Sequence, residues 1–177
     1  MKKETTQSKT FAALKGEFKY KSPMQAPKVS KIVVSVGVGA KNDPKKRELI
    51  KDRLAKITGQ ASAERAAKKS IATFKIRTGD TIGFQTTLRG ARMQSFLDKL
   101  IHIVLPRVKD FRGLKSETID EMGNITIGFR EHIVFPETAD EDSKDIFGLA
   151  ISIVTTAKNK KEAEAFLRYL GLPLRVK

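Results

Sequence analysis

The residues of this chain with the clearest potential for chemistry are basic, and they concentrate between positions 65 and 112. That stretch holds eleven Lys or Arg residues against three Asp residues and no Glu. Lys and Arg supply positive charge, while the glycines among them let backbone N–H groups approach phosphate oxygens closely. The pattern therefore predicts a structured surface that binds a polyanion, and not a flexible polybasic tail.

No set of residues in the sequence indicates catalysis, a metal ion or a nucleotide cofactor. The segment Gly37-Val38-Gly39-Ala40-Lys41 lacks the spacing of a phosphate loop and of a dinucleotide fingerprint. Neither His102 nor His132 has a second His or a Cys at ligand spacing. Glu131 and Glu137 have no accompanying nucleophile or oxyanion donor. We expect a protein that is not an enzyme, with no cofactor and no small-molecule substrate.

Composition and charge narrow the class of partner. The formal net charge of +15 favours nucleic acid or an anionic surface, and 40% hydrophobic residues suffice for a folded core. Cysteine is absent, and the basic N-terminus is followed by no apolar signal segment, so we expect a soluble cytoplasmic protein. Residues 117–145 reverse the sign, with nine Asp or Glu against Arg130 and Lys144. This asymmetry suggests two different partners, or one composite surface.

Hydrophobic periodicity predicts the elements that position these charges. Alternating residues indicate strands at 28–38, 81–89, 125–129 and 149–156, with an edge strand possible at 60–64. Residues spaced as on a helix face indicate helices that begin after Asp43, end at Pro106 and begin at Asn159, and a short one within residues 1–22. We expect an α+β fold: a mostly antiparallel sheet with helices packed on one face, as a two-layer sandwich. Residues 1–22 would form a basic, partly helical arm and residues 23–177 a single RNA-binding domain.

Two details of this prediction bear on binding. Pro23 and Pro27 favour extended chain around Met24 and Gln25. The uncovered sheet face would show side chains without Asp or Glu, namely Lys31, Ser35, Gln85, Thr87, Arg89 and Ser152. Such a face either binds RNA or is merely solvated, and the global charge favours RNA. In the basic loop, Phe74 would either stack on a base or pack the loop onto the sheet.

Several motifs together resemble one family. They include Met24-Gln25-Ala26-Pro27-Lys28-Val29, Gly37-Val38-Gly39, Phe74-Lys75-Ile76-Arg77-Thr78-Gly79, Thr87-Leu88-Arg89-Gly90, Asp110-Phe111-Arg112-Gly113-Leu114, Gly128-Phe129-Arg130-Glu131 and Thr155-Thr156-Ala157-Lys158. In collinear order from Met24 to the C-terminus, they are similar to the bacterial large-subunit ribosomal proteins of the L-five family. The arm before Met24 matches poorly, Ser35 stands where asparagine is common, and Gln85 stands at a basic position.

The resemblance implies an α+β protein of the central protuberance, associated with the ribosome. Its partners would be 5S rRNA, P-site tRNA, large-subunit rRNA with neighbouring ribosomal proteins, and a basic protein of the small-subunit head. For 5S rRNA we expect Met24, Gln25, Lys28, Lys31, Ser35, Lys68, Lys69, Gln85, Thr87, Arg89 and Arg92. For tRNA we expect a loop with Ser70, Phe74, Lys75, Ile76, Arg77, Thr78 and Gly79. For the bridge to the small subunit we expect Asp110, Phe111, Arg112, Gly113, Glu137, Asp140, Glu141 and Asp142.

Two other classes remain as alternatives. An RNA-modifying enzyme could dock on structured RNA through the same basic face, but it would need an acid–base set or a cofactor pocket. A peripheral membrane protein would gather its basic residues on one amphipathic helix opposite bulky apolar residues, and this sequence does not.

Overall fold

The computed structural model of the protein describes residues 6–39, 44–139 and 146–175. The strands are β1 (Val29–Gly37), β2 (Ala63–Ala66), β3 (Thr81–Leu88), β4 (Ile125–Phe129) and β5 (Leu149–Thr155). The helices are α1 (Thr6–Phe18), α2 (Pro44–Thr58), α3 (Gly90–Lys99), α4 (Leu105–Arg107) and α5 (Lys160–Tyr169). The five-stranded sheet has the order β2-β3-β1-β5-β4. The predicted α+β class with an antiparallel sheet is confirmed.

The chain divides into two compact units. The first comprises Met1–Ile32, Lys109–Ile127 and Ser152–Lys177, and the second comprises Val33–Val108 and Gly128–Ile151. Strands β1, β4 and β5 contribute residues to both. The prediction of an arm followed by a single domain stays a prediction, although α1, its helical part, belongs to the first unit.

In the first unit, α1 packs against α5. Leu14 and Tyr20 meet Phe166 in a small core, so the expected amphipathic helix is present. The Tyr20 hydroxyl donates to Glu162 Oε1 at 2.5 Å. Burial, together with this bond to a carboxylate, raises the pKa of Tyr20 well above its usual value. Asn159 does precede α5 as predicted, but its side chain makes no capping bond; Glu162 reaches back to the Lys158 N–H.

In the same unit, the chain between α1 and β1 departs from the predicted extended form. Pro23–Gln25 is a 3₁₀ turn, in which Ser22 precedes the turn and accepts from the Met24 N–H. A proline fits the first position of a helical turn because its missing N–H would have no partner there. The expectation of extended chain around Met24 was therefore wrong.

The core of the second unit lies beneath β3. Ile50, Leu54 and Ile57 of α2 are buried, as are Phe84 of β3 and Phe96 of α3. The Phe135 ring lies 6.2 Å from that of Phe96 and 6.0 Å from that of Phe129. Lys99 closes this cluster by donating to the Ile57 carbonyl at 2.7 Å and to Glu137 at 2.5 Å.

Two other predicted boundaries in the second unit were wrong. The helix after β3 continues through Pro106, because a π-helical turn at Leu100–Val104 leads into α4 and places the proline in its first turn. The edge strand begins at Ala63 instead of Gln60. After β4, residues 132–134 form a 3₁₀ turn.

Strand burial alternates as the sequence predicts. In β1, Ile32, Val34 and Val36 are buried while Lys31 and Ser35 are half-buried on the other face. Strands β4 and β5 alternate in the same way. No helix within the described ranges has the length and apolar character needed to cross a membrane.

Candidate nucleic-acid interface

In the first unit, the candidate RNA-binding residues lie on a fixed turn. The Met24 side chain is 83% exposed at the tip of the 3₁₀ turn. Gln7 of α1 donates to the backbone carbonyls of Met24 and Ala26, at 3.3 and 3.2 Å. Gln25 Oε1 accepts from the Lys21 N–H at 2.8 Å. These bonds hold the turn in one shape, so that Met24 and the neighbouring backbone can meet a folded RNA without first being ordered.

Lys28 and Lys31 follow this turn at the start of β1. The Lys28 N–H donates to the Thr156 hydroxyl, and the Thr156 N–H donates to the Lys28 carbonyl, both at 3.0 Å. The Lys28 side chain is exposed and that of Lys31 is half-buried. Both ammonium groups therefore stand on a strand whose backbone is already paired.

In the second unit, the more exposed face of the sheet carries an open depression of about 520 Å³. We call it the sheet groove. Its lining residues on that face are Ser35, Gly37, Arg65, Gly83, Gln85, Gly148 and Ala150. Most of these side chains are small, so backbone forms much of the floor. None of the described lining residues is acidic, and a phosphate in the groove would meet no carboxylate from them.

Hydrogen bonds fix the polar side chains of the sheet groove. The Ser35 hydroxyl donates to the Ala150 carbonyl at 3.5 Å. Arg65 Nε donates to Gln85 Oε1 at 2.6 Å. Beyond the groove on the same strand, Thr87 is half-buried, and its backbone carbonyl accepts from the Gln60 side chain. The face is therefore set before any ligand arrives.

Gly83 allows the strands beneath the groove to come together. A Cβ atom at this position would lie 2.5 Å from the Val36 carbonyl oxygen, closer than real Cβ atoms approach backbone. Any other residue here would push β1 and β3 apart. The depth of the sheet groove thus depends on this glycine.

Residues 67–80 form a small hairpin, which we call the hairpin loop. Ile71 and Ile76 pair across it through two backbone bonds of 3.0 and 3.2 Å. The Ser70 hydroxyl accepts from the Thr78 N–H at 2.9 Å and lies 3.0 Å from the Thr78 hydroxyl. Asp80 accepts from the Arg77 N–H at 2.8 Å. The loop is held by its own polar contacts.

The tip of the hairpin loop is exposed. Phe74 is 60% exposed, so within the described residues it does not pack the loop onto the sheet, and the alternative of stacking on a base remains. Lys75 has a left-handed backbone with φ of 54°, which turns the chain sharply after the 3₁₀ turn Ala72–Phe74. The side chains of Lys75 and Arg77 are exposed beside that apolar tip. Such a tip can combine charge with stacking.

The other candidate cations flank these features. Lys68 and Lys69 are exposed at the base of the hairpin loop. Arg89 lies just before α3 and Arg92 in its first turn, and both side chains are exposed.

The candidate bridge residues fall in separate places. In the first unit, backbone bonds tie the end of the corner at Asp110–Gly113 to the C-terminal segment. The Leu114 N–H donates to the Pro173 carbonyl, and the Arg175 N–H donates to the Leu114 carbonyl, each at 2.8 Å. In the second unit, Glu137 pairs with Lys99 and is partly neutralised. Asp140, Glu141 and Asp142 lie outside the described residues. Of these acidic side chains, Asp110 is the described one that stays exposed without an ion pair.

Comparison with known proteins places the chain in one family. A model of ribosomal protein L5 matches residues 22–77, and a model of the C-terminal part of the same ribosomal family matches residues 81–174. The chain belongs to the ribosomal protein L5 family. It is 48% identical to large ribosomal subunit protein uL5 of Flavobacterium johnsoniae, over 98% of this chain and 95% of that protein. The uL5 proteins of Anaeromyxobacter sp. (strain K) and Ureaplasma urealyticum serovar 10 are 47% and 45% identical, over 98% and 97% of this chain and 97% and 94% of theirs.

Membership of the L5 family confirms the resemblance inferred from the motifs. It makes the chain a ribosomal protein and not an enzyme, which removes the RNA-modifying alternative. A ribosome-associated, cytoplasmic location agrees with these relatives. The relatives are aligned over nearly their full length, so the likeness is not limited to one motif.

Three residues of the L5-family chain make contacts in the candidate interface that the sequence alone did not indicate. Gln7 holds the Met24 turn, Asp80 holds the hairpin loop, and Arg65 reaches Gln85 in the sheet groove. Only Asp80, three positions from Arg77, could have been suspected as local turn chemistry, because Gln7 lies 17 positions from Met24. The contact of Arg65 depends on which residue of β3 it faces, and local spacing carries no signal for that.

Proposed function

We propose that this protein is a structural constituent of the large ribosomal subunit that binds 5S rRNA, through the Met24 turn and the face of the sheet. Residues Ser70 to Gly79 of the hairpin loop would contact P-site tRNA. Membership of the L5 family supports the assignment to the large ribosomal subunit, since the relatives are named large ribosomal subunit proteins. The particular RNAs rest on the motifs that carry the family resemblance.

The observation that carries RNA binding is the sheet groove, a backbone-lined face with no carboxylate among its described lining residues, in a chain of net charge +15. A solvated sheet face has no need to exclude Asp and Glu. A face that meets phosphates does, because a like charge opposite a phosphate costs binding energy. Folded RNA is recognised largely by its shape and backbone, which a preset face with few long side chains suits.

The salt dependence of binding tests this mechanism. With about four phosphate contacts, the slope of log affinity against log salt is near −3, so that a fourfold rise in salt weakens binding by about 60-fold. The measurement is filter binding of the full-length protein to a 5S rRNA transcript across a potassium chloride series, with a scrambled transcript of equal length as control. Affinity independent of salt, or equal for both transcripts, would contradict the proposal.

We further propose that the corner at Asp110–Gly113, which leads into the acidic segment, meets a basic protein of the small-subunit head. Asp110 is exposed at a corner that backbone bonds hold in place, as a docking surface requires. Asp110→Lys should weaken association of the subunits and leave 5S rRNA affinity within about twofold, because opposite charge steers such contacts. Sucrose-gradient sedimentation of ribosomes carrying the variant measures this, and an unchanged fraction of joined subunits would count against the bridge.

A further inference from the structure

One strong cation on the open face of the second unit was not among the residues expected to bind RNA. Arg65 lies on β2, the edge strand, where all four residues are exposed. It pairs in register with Gly83 of β3. Because Gly83 has no side chain, nothing at the paired position blocks Arg65 from lying across β3 toward the sheet groove, which it lines.

Gln85 gives the Arg65 side chain a defined orientation. The bond of 2.6 Å from Arg65 Nε to Gln85 Oε1 uses the inner nitrogen of the guanidinium and leaves the two terminal nitrogens unengaged by it. Among the residues that the structure describes, no carboxylate pairs with Arg65. The neighbouring carboxylate, Glu64, is engaged with Lys51 at 3.8 Å and with the Thr81 hydroxyl at 3.3 Å.

This arrangement of Arg65 and Gln85 fits phosphate binding better than it fits a purely structural role for Arg65. A guanidinium forms paired bonds with a phosphate through its terminal nitrogens, and restraint of the inner nitrogen reduces the entropy lost on binding. An arginine that served only the edge strand would extend into solvent, since Glu64, the preceding residue of the strand, points to the opposite face of the sheet. Position 85 itself carries a neutral amide, so the charge at this point of the face comes from the adjacent strand.

We propose that Arg65 is an RNA-binding residue of the sheet groove, contacting a backbone phosphate, and that Gln85 is its positioning residue. The inference rests on the proposed function, since it names a further contact for the RNA that the sheet face binds. It also assigns a specific role to Gln85, whose side chain orients the Arg65 guanidinium and does not itself contact the phosphate as a cation would.

The test compares Arg65→Gln with Arg168→Gln in filter binding of the full-length protein to a 5S rRNA transcript. Both variants lose one charge, and Arg168 is an exposed residue of α5 that pairs with Glu164. Arg65→Gln should bind about tenfold more weakly, with a salt slope shallower by about 0.7 to 0.9, the contribution of one phosphate. Arg168→Gln should match the wild type within about twofold.

A relocated charge sharpens this test. In the double variant Arg65→Gln with Gln85→Lys, the cation moves to β3 at the same place on the face, and most of the lost affinity and slope should return. Equal binding by Arg65→Gln and Arg168→Gln would overturn the inference alone, provided that the wild type binds with a steep salt slope. Weaker binding with an unchanged slope would overturn the phosphate assignment. No binding by the wild type would overturn the proposed function as well.

Discussion

The sheet groove and the hairpin loop belong to the same unit and the same basic stretch, yet they are built in opposite ways. The groove has a floor of backbone and small side chains, and Arg65, the cation that lines it, is held by Gln85. The loop presents Lys75 and Arg77 beside the exposed Phe74 ring. The groove offers a shape with little charge, whereas the loop offers charge and an aromatic surface on a narrow support.

This difference teaches that a run of basic residues can contain two kinds of binding surface. A groove whose depth depends on strand spacing should be sensitive to changes in packing, and it suits an RNA that stays bound. A hairpin held by its own hydrogen bonds should tolerate changes at its tip, and it suits an RNA that arrives and leaves. The two surfaces should therefore respond differently to substitution.

The largest effect is expected at Gly83. In Gly83→Ala the new Cβ would lie 2.5 Å from the Val36 carbonyl oxygen, so β1 and β3 must separate. Overpacking of this kind costs about 1 to 3 kcal/mol in the free energy of unfolding, and 5S rRNA affinity should fall with it. Urea denaturation and filter binding measure the two effects.

Gly128→Ala is the matched control for Gly83→Ala. Gly128 lies in β4, in the same unit, and a Cβ there would meet nothing within 4 Å. Its unfolding free energy should stay within about 0.5 kcal/mol of the wild type. If both variants behaved alike, the dependence of the sheet groove on strand spacing would be wrong.

Much of the fold could be read from the sequence because its signals are local. Alternation in β1, β3 and β5 and the apolar stripe of α5 predicted both the elements and their buried faces. The failures came where a proline has two uses. Pro23 and Pro106 were interpreted as breaks, but each stands at the first turn of a short helical segment, and neighbouring residues decide between the two outcomes.

The candidate site was less predictable, because its contacts join distant residues. Alternation predicted that Gln85 and Ser35 share the more exposed face of their strands, which needs only the period of a strand. The contact between Arg65 and Gln85 spans twenty positions and depends on the register of β2 against β3, with its shift between Arg65 and Ala66. Because the sequence does not reveal this contact, Gln85 was expected to contact RNA directly, and that role stays untested.

A smaller effect is expected when the hairpin loop loses its charges. Lys75→Ala with Arg77→Ala should weaken P-site tRNA binding about three- to tenfold, because two exposed charged contacts are lost at up to about 1 kcal/mol each. Affinity for 5S rRNA should stay within about twofold, since neither residue lines the sheet groove. Filter binding with 5S rRNA and toeprinting on ribosomes carrying the variant measure the two affinities.

Lys160→Ala with Lys161→Ala removes the same charge from α5, in the first unit, and should change tRNA binding little. An equal loss of tRNA and 5S rRNA binding in the loop variant would erase the division between the two surfaces. A loss shared by the α5 variant would mean that net charge alone, and not the loop, determines tRNA binding.

The smallest effect is expected at Asp80. A substitution there distinguishes the contribution of loop order to tRNA binding from the contribution of loop charge. Asp80→Asn replaces the carboxylate that accepts from the Arg77 N–H with an amide, a weaker acceptor, and removes one negative charge. If charge alone mattered, tRNA binding would strengthen. Because the loop must also be ordered, we expect binding weaker by about twofold and faster hydrogen exchange at the Arg77 amide. Asp98→Asn, at an exposed position of α3, makes the same charge change without touching the loop. Tighter tRNA binding by both variants would show that the preset shape of the hairpin loop contributes nothing.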